Sequence, residues 1–356
     1  MGLANKLKNH MPKQAEYPLW KGPEVDGITQ SMLSRFLTCR ERFRIRYLEG
    51  VSPVDRFNPK LFYGHLWHAC READLEDTSK LDKMSALVRE ESEKFPFDKP
   101  QINRWFHICR KQYRVYKEWL RNNQFPHQKA ETVASEKTFD VPYYLPCGTI
   151  VRLRGKFDGV IDCKGKDWLV ENKTKGQISA HKINNQLKFD LQTMLYLSAM
   201  QCEYFESQTS RSIGGIIYEV VRRPLSGGKG TIRQKKARGK TPAETDSEFY
   251  KRLGEVFSEN PDEFFFSWEV PVTQQELKEF QIKFLTPTLK ALVDWYNGAV
   301  EAGKQTPFNN PHHYVTPFEL FRPLQELGST ELDDYILDGD MAGLTRNTTL
   351  FEELDS

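Results

Sequence analysis

Two carboxylates and a lysine stand close together along the chain: Asp158, then Glu171 and Lys173 thirteen and fifteen positions later. Two acidic side chains on neighbouring strands can hold one hard cation, Mg²⁺ or Mn²⁺, which prefers carboxylate and carbonyl oxygen and keeps several waters. Such an ion activates a water, orients a phosphate and neutralises charge that develops at phosphorus. A lysine beside it can stabilise that charge or position the attacking water. A surface hairpin closed by a salt bridge has the same three residue types, so the elements around them must decide.

Val151 to Asp162 is rich in β-branched and aromatic residues and reads as a strand, and Trp168 to Lys173 reads as its partner. Between them Gly165 can supply the positive φ of a two-residue turn, taken here as Gly165-Lys166. That register sets Asp158 opposite Lys173 and Val160 opposite Glu171. Because side chains alternate, Asp158, Glu171 and Lys173 then share one face, within roughly 4.5–8 Å of one another.

Further motifs follow in order. Gly155-Lys156-Phe157-Asp158, Glu171-Asn172-Lys173 and Gln192-Thr193-Met194-Leu195-Tyr196, preceded by Gly64-His65-Leu66-Trp67-His68, resemble the core of the PD-(D/E)XK nuclease superfamily. More narrowly they resemble its RecB-like branch, which includes exonuclease V and the CRISPR-associated adaptation nucleases. The resemblance implies an α/β fold: a restriction-endonuclease-like core, with a mixed central sheet flanked by helices, carrying added helical lobes. It implies that His68, Asp158 and Glu171 are metal ligands together with the carbonyl oxygen of Asn172. It makes Lys173 the catalytic lysine, and it assigns Gln192 and Tyr196 to supporting the site and meeting DNA. His65 is the nearest rival to His68, but its spacing from Gly64 does not fit.

Around these motifs the residues 28–49 suggest an amphipathic helix whose Arg35, Arg40, Arg42, Arg44 and Arg46 could contact phosphates, Arg40 and Arg44 being taken as DNA contacts. Residues 59–77 read as a second helix and 101–122 as a third, its Trp105, Tyr113, Tyr116 and Trp119 chiefly core. A helix at about 182–204 carries Gln192, and 214–223 reads as a buried strand. Ser226 to Lys240 has six basic residues and no acid, and is expected to be a flexible loop that meets DNA through Lys235 and Lys236. A helix at 243–258 and a strand at 263–272 precede a long helix at 273–302, kinked at Pro287. The expected organisation is an N-terminal extension (1–27), a helical region with the metal histidine (28–130), the nuclease core (131–225), the basic loop (226–242), elements completing the core (243–325) and an acidic tail (326–356).

The chain has 356 residues, 38% hydrophobic and 28% charged, with a net charge of only +2, so a polyanion must be met by local basic patches. No apolar run reaches the length of a membrane span, and the N-terminus lacks the apolar core of a signal peptide, which suggests a cytoplasmic protein. No phosphate-binding loop is found, so ATP is not expected. The six cysteines are scattered, as for reduced thiols. Many relatives of the branch hold an iron–sulfur cluster on one cysteine before the core and three after it. Cys39 resembles the first, but no cysteine follows Cys202, so no cluster is expected, with Phe318, Leu320 and Phe321 packing there instead.

The expectation is thus a metal-dependent deoxyribonuclease, most like exonuclease V, acting as a monomer on single-stranded DNA from its ends. A nuclease subunit that needs a helicase partner and a flap endonuclease are the alternatives.

Overall fold

The computed structural model describes residues 18–178, 190–225, 231–298, 344–351 and 354. The chain divides into two compact units, one formed by residues 1–55, 139–155 and 281–356 and the other by 56–138 and 156–280.

The second unit carries most of the chemistry-bearing residues. Helix α3 (Pro59–Leu75) starts where Asn58 accepts hydrogen bonds from the Lys60 and Leu61 amides, with Pro59 at the first helical position. Helices α4 (Lys80–Lys94) and α5 (Lys99–Asn123) follow. Helix α4 has no counterpart in the sequence reading. Its buried residues are only Met84 and Ser92, too few for a clear stripe, although Ser79 caps it through the Asp82 amide. Strands β2 (Glu131–Tyr144), β3 (Ile150–Cys163), β4 (Lys166–Lys175), β5 (Ile213–Arg222) and β6 (Phe265–Pro271) form one sheet in that order. β3 and β4 are antiparallel, β4 and β5 parallel, and β5 and β6 antiparallel. The parallel pair needs a crossover, which helix α6 (Leu191–Glu206) lies within. This is the expected mixed sheet with flanking helices. Helix α7 (Asp246–Glu259) opens with a reciprocal Thr245–Glu248 capping box.

The main core of this unit joins α3, α5, α7 and the ends of β5 and β6 through Trp67, Tyr113, Tyr116, Trp119, Phe257 and Phe265. The aromatic residues of α5 are therefore packing residues. A buried Arg71–Glu219 ion pair, 2.6 Å long, lies beside them, and Tyr116 donates to the same carboxylate at 2.8 Å. Arg71 also donates to the Asn172 side chain at 3.1 Å. Helix α3 is thereby tied to β4 and β5 one turn beyond His68.

The hairpin register differs from the expected one. Gly159 pairs with Val170 and Cys163 with Lys166, so the turn is Lys164-Gly165. Both turn residues have left-handed φ, 57° and 75°, as the mirror-image hairpin turn requires. Asp162 decides the matter by accepting from the Gly165 amide at 2.9 Å, a side-chain cap the expected turn lacks. A two-residue slip preserves alternation, so every side chain keeps its face. One step beyond the Gly159–Val170 pair, Asp158 reaches Glu171 instead of Lys173.

In the first unit, the single helix expected at 28–49 is broken. Helix α1 (Gln30–Thr38) stops at extended Cys39, and α2 (Arg40–Phe43) runs into a wide turn of π type over Arg44–Leu48. The Cys39 thiol accepts from the Arg42 amide at 3.3 Å and so starts the second segment as a cap would. The five arginines consequently do not share one continuous helical face. Arg40 stacks over Phe36 at 4.9 Å, and Arg44 pairs with Glu49 at 3.0 Å. The long helix expected at 273–302 is also divided, into α8 (Gln274–Phe280) of the second unit and, in the first, a π turn over Gln281–Leu285 and α9 (Thr286–Tyr296). Pro287 sits in the first turn of α9, because its ring and missing N–H exclude an ordinary turn before it. Strand β1 (Val51–Pro53) pairs with β7 (Leu344–Arg346), so this part of the acidic tail is docked. Phe318, Leu320 and Phe321 lie outside the described residues.

Candidate active site

Asp158 on β3 and Glu171 on β4 meet across the hairpin. Asp158 Oδ2 accepts from the Asn172 amide at 2.8 Å, which fixes its carboxylate at the strand junction. Glu171 is fully buried. Apart from the approach of the Lys173 ammonium, neither of its oxygens accepts a hydrogen bond from a described residue. Burial and the Asp158 charge push the Glu171 carboxyl up to about 7. Burial likewise raises Asp158, to about 6.

Helix α3 brings His68 to this pair, with Nδ1 3.5 Å from Asp158 Oδ1. Burial lowers the His68 pKa, which favours the neutral imidazole that can ligate a metal. His65 is exposed one turn away. The glycine of the Gly-x-x-x-His motif is not sterically required: a side-chain carbon at Gly64 would stand 3.6 Å from Thr174 Oγ1, an ordinary contact.

Lys173 lies between two acceptors. Its ammonium contacts Glu171 and donates to Gln192 Oε1 at 2.8 Å. Burial opposes its charge, but the neighbouring Glu171 prevails and raises its pKa. Gln192 sits in the first turn of α6, where Asp190 caps the helix by accepting from the Gln192 amide at 3.0 Å. Tyr196, one turn on, is buried with its ring 5.6 Å from Phe157. Burial raises its pKa, and the Gln192 side chain is among its hydrogen-bond partners. The Asn172 side chain accepts from Arg71 at 3.1 Å.

The residues fit a hard divalent cation. The buried, repelling carboxylates of Asp158 and Glu171 lack enough hydrogen-bond donors for two charges, a state that a cation relieves. Among the described residues, the histidine, cysteine and carboxylate atoms that come within 4.8 Å of one another as a group of three belong to His68, Glu136 and Asp158. Glu136, on β2, has no motif around it in Ala134-Ser135-Glu136-Lys137, so no local signal could have found it. Glu171 is not in that group.

The basic residues expected to contact DNA fall in both compact units. Arg40 and Arg44 belong to the first. Lys235 and Lys236 are exposed, in an irregular segment that Glu244 fastens through the Lys235 amide at 2.9 Å.

The family model for the PD-(D/E)XK nuclease superfamily matches residues 28–277. A solved structure titled "Crystal structure of SSO0001" aligns with 71% of this chain and 93% of its own at 14% identity, with a TM-score of 0.20, an overlap too small to argue from. No curated protein matches the sequence.

Proposed function

The chain belongs to the PD-(D/E)XK nuclease superfamily, whose members cleave nucleic acids with divalent metals, and from that premise we propose a DNA exonuclease of the RecB-like branch, most like exonuclease V. It acts on single-stranded DNA from its ends, as a monomer and without ATP. The observation that carries the chemistry is the pairing of Asp158 with the buried, hydrogen-bond-starved Glu171 beside Lys173.

His68, Asp158, Glu171 and the Asn172 carbonyl would hold Mg²⁺ or Mn²⁺. When bound, the ion supplies neutralisation of charge on the phosphate and eases loss of a proton from water. The chain's own groups do the rest. Lys173 presents a fixed ammonium to the charge that develops at phosphorus, and Gln192 holds it in place. The Asn172 amide keeps Asp158 oriented. Arg40 and Arg44 in one unit, and Lys235 and Lys236 in the other, are each candidate phosphate contacts.

The test uses single-stranded linear, duplex linear and circular single-stranded DNA, labelled at either end, with Mg²⁺, Mn²⁺ or EDTA. Metal-dependent loss of linear single strands with circles spared is expected. Cutting of circles would replace the exonuclease reading by an endonuclease. Activity that appears only with a helicase present would make the chain a subunit.

A further inference from the structure

We propose that Glu136 is a ligand of the divalent cation at this centre, and that Lys156 holds its carboxylate until the cation replaces it. The inference rests on the nuclease reading above and extends it to a residue outside the motifs.

Three independent observations point the same way. A carboxylate oxygen of Glu136 lies within 4.8 Å of both a His68 ring nitrogen and an Asp158 oxygen, so one ion could touch all three. Glu136 also has a left-handed φ of 47° inside the fourteen-residue strand β2. A non-glycine residue there costs on the order of 1 kcal/mol. Glycine would hold the same backbone without that cost, but it would bring no oxygen to the site. Finally, Glu171 supplies a further buried carboxylate at the centre, met among the described residues only by the Lys173 ammonium, so a cation there has unsatisfied acceptor oxygen to bind.

Lys156 explains how Glu136 is kept in place in the absence of metal. Its ammonium is 2.7 Å from Glu136 Oε2. Lys156 and Asp158 are two apart on β3 and share a face. A dication placed between Asp158 and Glu136 attracts both carboxylates and repels the ammonium, so metal and Lys156 compete for one partner. The two members of this ion pair should therefore affect metal affinity in opposite directions. A pair that served only the fold would contribute about 0–1 kcal/mol of stability and leave metal affinity alone.

The experiment titrates the full chain, without DNA, with Mn²⁺, and follows free Mn²⁺ by electron paramagnetic resonance. The proteins are the wild type, Asp158→Asn, Glu136→Gln, Glu136→Gly and Lys156→Gln. Both Glu136 variants should weaken Mn²⁺ binding by about tenfold or more, and Lys156→Gln should tighten it. Glu136→Gly should also melt, metal-free, at or above the wild-type temperature, so its loss of affinity cannot be loss of fold. Wild-type affinity in both Glu136 variants, with binding abolished in Asp158→Asn, overturns the proposal while the nuclease centre stands. A Lys156→Gln that binds no tighter than wild type overturns the competition. Failure of the wild type itself to bind Mn²⁺ overturns the nuclease reading, and this inference with it.

Discussion

Lys173 is the residue whose chemistry the structure specifies most closely. Its charge is secured by Glu171 and its direction by Gln192. Lys173→Met removes an ammonium that would meet charge in the transition state, so single-turnover cleavage should fall by about 100-fold or more. Mn²⁺ affinity should be kept or rise, since the variant removes a cation from beside Glu171. A parallel loss of metal binding would mean that Lys173 organises the ligands instead. At this scale the spacing of Asp158, Glu171 and Lys173 was legible, because alternation along a strand survives the two-residue error in register. Glu136 was not legible, because what selects it is a bend in β2 and its nearness to His68, sixty-eight positions earlier.

The elements are held by features of unequal visibility in the sequence. Strand β5 carries Gly214-Gly215 directly after its first residue, Ile213, and Gly215 has a φ of 149°. A side-chain carbon there would lie 2.2 Å from the Val270 carbonyl oxygen on β6, a contact that backbone cannot relieve. Gly215→Ala should therefore destabilise the protein by about 2–4 kcal/mol in urea unfolding; an unchanged midpoint would show that the β5–β6 edge yields. The long apolar run of β5 made the strand legible, but not the close approach that needs glycine. The start of α3 at residue 59 was likewise legible, whereas the break at Cys39 was not, because the periodic pattern runs through it while its thiol starts a new segment. The α3 anchor, Arg71 to Glu219 and Asn172, joins residues about a hundred positions or more apart, which no local pattern reports.

At the scale of the whole molecule, that buried anchor makes part of the stability acid-sensitive. Although burial alone would raise it, the Arg71 charge and hydrogen bonds with His127 and Tyr116 hold the Glu219 carboxyl down at about 2. Its folded pKa thus lies below its unfolded value, so the stabilisation is complete above the ordinary glutamate pKa, near 4.3. It is lost as pH falls from there through about 2, at up to about 1.4 kcal/mol per pH unit. Thermal melts should show that acid limb, and Glu219→Gln should flatten it while lowering neutral stability by about 3–5 kcal/mol, since Arg71 is left buried without its carboxylate. A variant that melts like the wild type at both pH values would remove Glu219 from this role. The sequence by itself determined the fold class, the order of the core elements and the shared face of Asp158, Glu171 and Lys173, because apolar periodicity and motif spacing are local and survive small errors of register. Only the tertiary structure decided the turn that pairs β3 with β4, the breaks in the long helices and the entry of Glu136 beside His68 and Asp158. Each of these depends on which of several available partners, near or distant in the chain, satisfies a backbone or side-chain group, and that choice is made when the chain packs.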